Sequence, residues 1–185
     1  HLEKFTQLEN NKVIIKKEYF SHIESNEDAV RFNNISFKYF NSEDYIFENL
    51  DLSIPKNKHT VITGPNGSGK STLLGLISQV FYPEDGNINI SSNKIGYVGV
   101  TPLILDDTLR ENFLYGNTKN IKDDELINLA NEFELFVENE INLDKSISNR
   151  SLSAGQMQKI AFIRALLAEV EILLLDESTS NLDID

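Results

Sequence analysis

The 185-residue chain contains no cysteine. That absence removes disulfides, thiolate zinc sites and cysteine nucleophiles together. Basic charge is scarce as well: 17 Lys and Arg against 29 Asp and Glu leave a net charge of −12. With no basic stripe to follow a phosphate backbone, the composition argues against a nucleic-acid binder, although a small local phosphate site stays open. Long apolar runs are missing too. No uncharged stretch approaches the roughly 20 apolar residues that a membrane helix needs, so the chain is not expected to span a bilayer itself. It begins on His1 rather than Met, with no cationic and apolar leader. The start is therefore read as a cut from a longer polypeptide or a tag remnant, not as a signal peptide. What is present is ordinary. A composition of 40% apolar and 25% charged residues is globular, excludes collagen-like and low-complexity architectures, and suits one α/β domain or a larger domain cut short.

Residues 1–28 mix Lys, Glu and Asn around one apolar run at Val13–Ile15 and sustain no period, so they are read as a linker. Alternation begins after them. Ile35, Phe37 and Tyr39 alternate with polar residues, and Leu50, Leu52 and Ile54 do so again beyond the polar turn Asn41–Asp44, with Pro55 ending the second strand. His59–Thr63 is a short β-branched run; a Gly-rich turn follows, and then Leu73, Leu74, Ile77 and Val80 fall at helical spacing. Strand, loop, helix is the half of a βαβ unit that usually carries phosphate chemistry. Ile88 and Ile90 alternate, and Ile95–Val100 predicts another strand. Asp123 is placed to cap a helix with Leu126, Leu129, Ala130 and Phe133 on one face. A third helix from Ser153 carries Ile160, Ile163 and Leu167 on one face, and Ile172–Leu175 then predicts a strand buried on both sides.

Three features carry chemistry. Gly64-Pro65-Asn66-Gly67-Ser68-Gly69-Lys70-Ser71, followed by Thr72, satisfies G-x-x-x-x-G-K-[ST] in full and in the strand-to-helix context it requires. Glycines 64, 67 and 69 let the backbone aim successive N–H groups at a phosphate chain, whose β and γ phosphates Lys70 would reach while Ser71 would ligate Mg2+. Second, Ile172-Leu-Leu-Leu-Asp176-Glu177 delivers two carboxylates at a strand's carboxyl end, where ligands bind in α/β sheets. Asp176 suits the water shell of Mg2+, and Glu177 suits a base or positioner for an attacking water. Alone, this would be a strand ending in a solvated acidic turn; the upstream loop reverses that preference. Third, Leu152-Ser153-Ala154-Gly155-Gln156 heads a helix, and Ser153 with Gln156 also makes a local capping box.

Together with Ser180-Asn-Leu-Asp183, these segments resemble the Walker A, signature, Walker B and D-loop motifs of the ATP-binding cassette family. The resemblance implies an α/β fold: a P-loop NTPase core with an N-terminal antiparallel β layer and a helical signature subdomain inserted at about residues 101–152. It implies ATP and Mg2+ as cofactors and residues 29–185 as the cassette. Tyr39 resembles the aromatic that stacks on adenine, with a plain strand aromatic as the alternative. Ser153 and Gly155 look like the groups that reach across a head-to-tail dimer to a second cassette's γ-phosphate, and Gln156 falls with them among the nucleotide-binding residues that the resemblance implies. Thr108-Leu-Arg-Glu-Asn112-Phe-Leu-Tyr-Gly116 resembles the exporter segment that lies near the transmembrane coupling helices.

The implied function is ATP-driven dimerisation coupled to transport by an exporter, at the cytoplasmic face of a membrane. Residues 1–28 would then be the tether from the transmembrane domain. The alternative is a regulatory cassette that binds nucleotide with little or no hydrolysis. A DNA-repair or chromosome-organising cassette would need a long coiled coil between Lys70 and Ser153, and no heptads occur there. Three departures stand out. Exporter cassettes read Gly-Tyr-Val-Pro-Gln where this chain reads Gly96-Tyr97-Val98-Gly99-Val100, so the metal-sensing glutamine is absent. Ala154 replaces the first glycine of the signature pair. The chain stops at Asp185, before the family's switch histidine, so poor turnover is expected of residues 1–185 alone.

Overall fold

The computed structural model describes residues 19–23, 27–117, 119–136 and 140–176. They fall into two units that divide between Ser91 and Ser92. Glu177, the Ser180–Asp183 motif and most of the expected tether lie outside the described residues.

The first unit is built on a four-stranded sheet of β1 (Phe20–His22), β2 (Asp28–Phe37), β3 (Phe47–Pro55) and β4 (Asp85–Ile90), in the order β1-β4-β2-β3. The central strand β2 runs antiparallel to both neighbours, with Phe32 opposite Leu52 and Ile88, and β1 pairs parallel with β4. The buried face of β2 changes parity along the strand: Val30 and Phe32, then Ile35 and Phe37. A bulge explains the switch. The β2–β3 register shifts between Phe32 and Ile35, where Asn34 takes a left-handed φ of 52°. The extra residue returns the apolar side chains to the core. Tyr39 falls just beyond the strand, and Pro55 closes β3 as expected. Phe20–His22 lies inside the stretch read as a linker; pairing with β4 gives it strand structure that its own sequence does not announce.

Helix α1 (Lys70–Ile77) buries Leu73, Leu74, Leu76 and Ile77. It ends sooner than the spacing predicts, and Val80 is 68% exposed. Gln79 adopts φ 62° beyond the cap, so its amide reaches the Leu76 carbonyl and that of Val80 the Gly75 carbonyl. These are the two bonds of a Schellman stop, made without the usual glycine. His59–Thr63, expected as a strand, has no ladder partner among the described residues, and Val61 is largely exposed. A five-residue run holds strand geometry only through neighbours, and none of the four strands of its unit pairs with it.

In the second unit β5 (Ile95–Val98) and β8 (Ile172–Leu175) pair in parallel, Tyr97 opposite Leu174. Leu174 is buried, but Leu173 and Leu175 are 39% and 41% exposed, so β8 is not covered on both faces as predicted. Among the described residues this sheet has two strands, which leaves side chains without neighbours there. Strand β5 also stops at Val98, two residues short of the expected end. The short strands β6 (Asp107–Thr108) and β7 (Ser146–Ile147) form an antiparallel clip.

Helices α2 (Leu109–Leu114), α3 (Asp123–Glu132) and α4 (Ala154–Leu167) share one apolar core, in which Leu109, Phe113, Leu126 and Ala130 meet Ile160, Ile163 and Leu167. Asp123 is the first residue of α3, not its cap; the cap position is Lys122 and has no side-chain bond. The reason is a competing cation. Arg110 forms an ion pair with the Asp123 carboxylate and holds its pKa below the usual range, while Asp123, Asp124 and Glu125 still favour the positive helix end.

Candidate nucleotide-binding site

The phosphate loop leads directly into α1. Its last residue, Gly69, is the N-cap at φ 90° with no side chain to cap the helix. A methyl there would stand 2.8 Å from Ile46 Cγ2 and 2.9 Å from Phe47 Cζ, so both conformation and space require glycine. The first amides of α1 consequently have no side-chain acceptor from their cap, and they carry the positive end of the helix dipole. Gly67 is also left-handed, at φ 82°, with open space around the position of a Cβ. Lys70 Nζ donates to the carbonyls of Gly64 and Pro65 at 3.0 Å each, and folds back over the loop. An ammonium has three donors, so one N–H stays available for an anion.

Tyr39 belongs to the same constellation. Its hydroxyl lies 2.7 Å from Thr72 Oγ1. Its ring meets Phe37 and Phe81 edge-on, at centroid distances of 5.2 and 5.6 Å, and Phe37 stacks on Phe81 at 5.6 Å. The ring is thus fixed at three points while 44% of the residue stays exposed. That is the condition of a stacking platform: rigid, partly apolar and open to solvent.

In the second unit Ser153 caps α4. Its Oγ accepts from the Gln156 amide at 3.2 Å, and the Gln156 side-chain carbonyl accepts from the Ser153 amide at 2.9 Å. The capping box is therefore real. The Gln156 side chain also donates to the Leu135 carbonyl at 3.4 Å, so its amide is engaged within the unit. Ser153 keeps its O–H proton, because capping uses only an oxygen lone pair. Ala154 lies in the first helical turn and is not among the left-handed residues, so its extra methyl imposes no backbone strain.

Asp176 follows β8, and its amide bonds to the Val98 carbonyl at 2.9 Å. Its carboxylate accepts a hydrogen bond from the Tyr97 hydroxyl at 2.9 Å. Burial first, and then the bond to Asp176, push the Tyr97 phenol up to about 12, so it remains a protonated donor. Local pattern does not reveal this pair, which joins residues far apart in sequence through the β5–β8 register. Beyond Val100, a half-buried network holds the next loop: Asn112 Nδ2 donates to the carbonyls of Leu105 and Thr108, and Arg164 Nε and Nη1 donate to those of Asn112 and Leu103. Desolvation lowers the pKa of Arg164.

The donor chemistry fits MgATP. Ser71 in the first unit offers a hydroxyl and Asp176 in the second a carboxylate, each by itself a hard oxygen donor of the kind that Mg2+ takes. The loop offers left-handed glycine backbone at Gly67 and Gly69, and a lysine.

The comparisons with known proteins agree on the class. The family model described as ABC transporter matches residues 47–180, and the chain belongs to that family. It is 36% identical over 173 residues to ABC transporter B family member 22 of Arabidopsis thaliana, covering 83% of this chain and 14% of the relative. It is 32% identical to a putative export ATP-binding/permease protein of Rickettsia prowazekii (strain Madrid E), covering 98% of this chain and 34% of that one. Among solved structures, a bacterial Atm1-family ABC exporter with ATP bound superimposes with a TM-score of 0.78 at 24% identity, over 98% of this chain and 35% of that chain. The fold is therefore the P-loop NTPase fold of ABC nucleotide-binding domains. This chain spans about a third or less of the length of these relatives. No helix among the described residues is long and apolar enough to cross a membrane.

Proposed function

We propose that this chain is the ATP-binding and hydrolysing domain of an ABC exporter, in which MgATP closes two cassettes head to tail and the motion drives transmembrane segments at the cytoplasmic face of a membrane. The observation that carries this reading is the loop at Gly64–Thr72: a left-handed, uncapped helix start under a lysine that already binds the loop's own carbonyls. The amides of Gly67 to Thr72, with Lys70, would hold the phosphates, and Tyr39 the base. Bound Mg2+ neutralises developing phosphate charge. Ser71 and Asp176 would hold it, with Glu177 orienting the attacking water. Ser153 and Gly155 would donate to the partner cassette's γ-phosphate. We place the tether at residues 1–28, the cassette at residues 29–185, and its helical insertion at about 101–152.

Isothermal titration of the full-length protein tests the site. Lys70→Ala should weaken ATP binding more than tenfold, because it removes a charge-assisted contact from a phosphate cradle. Equal affinity would refute the assignment.

A further inference from the structure

We infer that Tyr97 is a positioning residue for the metal-binding carboxylate of Asp176, and that Gly99 is the residue that lets it reach. The inference rests on the reading of Asp176 as a Mg2+ ligand and adds a residue that reading does not use. In the β5–β8 ladder Val98 stands opposite Leu175, and the Asp176 amide bonds to the Val98 carbonyl. Continuing that register by one step sets residue 99 beside Asp176. Tyr97 and residue 99 share a face of the strand, since side chains alternate. The phenol therefore reaches Asp176 only by lying across residue 99.

The structure has that arrangement. A Cβ at position 99 would stand 3.0 Å from Tyr97 Cε1 and 3.7 Å from both its Cζ and its hydroxyl oxygen. The hydroxyl itself is 2.9 Å from Asp176 Oδ2. A side chain at position 99, and the ring of a proline above all, would compete with the phenol for this space. The sequence that departs from Gly-Tyr-Val-Pro-Gln thus does two things at once. It removes the glutamine at Val100 and opens a path for a different polar group to the same aspartate. A hydrogen bond donated to one carboxylate oxygen fixes the carboxylate plane, the usual work of an outer-shell partner.

The test titrates Mn2+, as a stand-in for Mg2+, into the full-length protein saturated with a non-hydrolysable ATP analogue, with free Mn2+ followed by electron paramagnetic resonance. Tyr97→Phe keeps the ring and should weaken the cation about tenfold, while the analogue's affinity without metal stays unchanged. Gly99→Ala should act through the same bond, so the double variant should be no worse than Tyr97→Phe alone. Asp176→Asn is the reference. If Asp176→Asn weakens the cation and Tyr97→Phe stays within twofold of the parent, or if the Tyr97→Phe and Gly99→Ala losses multiply, the positioning role is refuted alone. If Asp176→Asn has no effect either, the metal-site reading falls with it.

Discussion

Replacing Ser153 by Ala removes one acceptor from the head of α4 and one hydroxyl proton from the surface that we propose faces a second cassette. The two losses separate by choice of substituent. In the structure Ser153 Oγ takes the Gln156 amide, and the Gln156 side chain returns a bond to the Ser153 amide. Losing the first bond should cost about 1 kcal/mol, the usual effect of truncating a serine N-cap. In a domain of this size that lowers the melting midpoint by about 2–4 °C. Ser153→Asp keeps an acceptor in place and adds a negative charge at the positive helix end, so its midpoint should match the parent or exceed it. An aspartate has no proton to donate to a γ-phosphate, and its charge repels one. Both variants should therefore lose ATP-dependent association of the cassettes, and Ser153→Asp should lose it more completely although it is the more stable. Differential scanning calorimetry gives the first quantity, and cross-linking of cassettes with a non-hydrolysable ATP analogue gives the second. If Ser153→Asp associates as the parent does, Ser153 is a helix cap and nothing more. An unchanged midpoint in Ser153→Ala would instead refute the capping energetics.

Two further perturbations probe the base-binding side. Tyr39→Ala should weaken ATP more than inorganic triphosphate in parallel calorimetric titrations, because only ATP presents a base to stack on; equal losses would make Tyr39 a plain packing aromatic. Gly75→Ala acts on the same platform from below. A Cβ at that position would stand 2.4 Å from Phe81 Cδ2, and Phe81 carries the ring of Tyr39. Overpacking of about 1–3 kcal/mol should outweigh the roughly 1 kcal/mol gain in helix propensity, lowering the melting midpoint and weakening ATP more than triphosphate. A raised midpoint with unchanged ATP affinity would show that Phe81 moves freely and does not fix Tyr39.

The legible parts of the molecule were those whose cause is local. A phosphate loop needs two glycines five residues apart, then a lysine and a serine or threonine, and Gly64–Ser71 shows all of them without any knowledge of the fold. The capping box at Ser153 and Gln156 is equally short-range. Helix ends were not legible, and the reason is chemical. Three helices stop on left-handed Gln79, Glu134 and Glu169, where glycine is the usual signal. Each such residue is strained but repaid by its Schellman bonds, such as Leu135 to Ala130 at 2.9 Å. Long-range causes were hidden for another reason. Arg110 draws Asp123 out of its capping role, and the Tyr97–Asp176 bond exists only because two strands pair in one register. No window of neighbouring residues contains either fact.

Val100 poses the question of turnover. It follows β5 and is 48% exposed, at the position where the resemblance predicts a glutamine. A valine can neither ligate Mg2+ nor orient a water. Phosphoryl transfer depends mostly on positioning and electrostatics, and loss of one preorganised polar partner costs about 100- to 1,000-fold in rate. In the proposed site ATP affinity would be carried by the phosphate loop and the aromatic platform, neither of which involves residue 100. Val100→Gln in the full-length protein should therefore raise ATP turnover with little change in ATP affinity, to an extent below that full factor because Tyr97 already serves Asp176. Glu177→Gln should suppress turnover and stabilise the ATP-bound pair of cassettes. Phosphate release under saturating MgATP measures both. If neither substitution alters the rate, hydrolysis is not the work of this site, and ATP acts there as a ligand that switches the cassette rather than as a substrate.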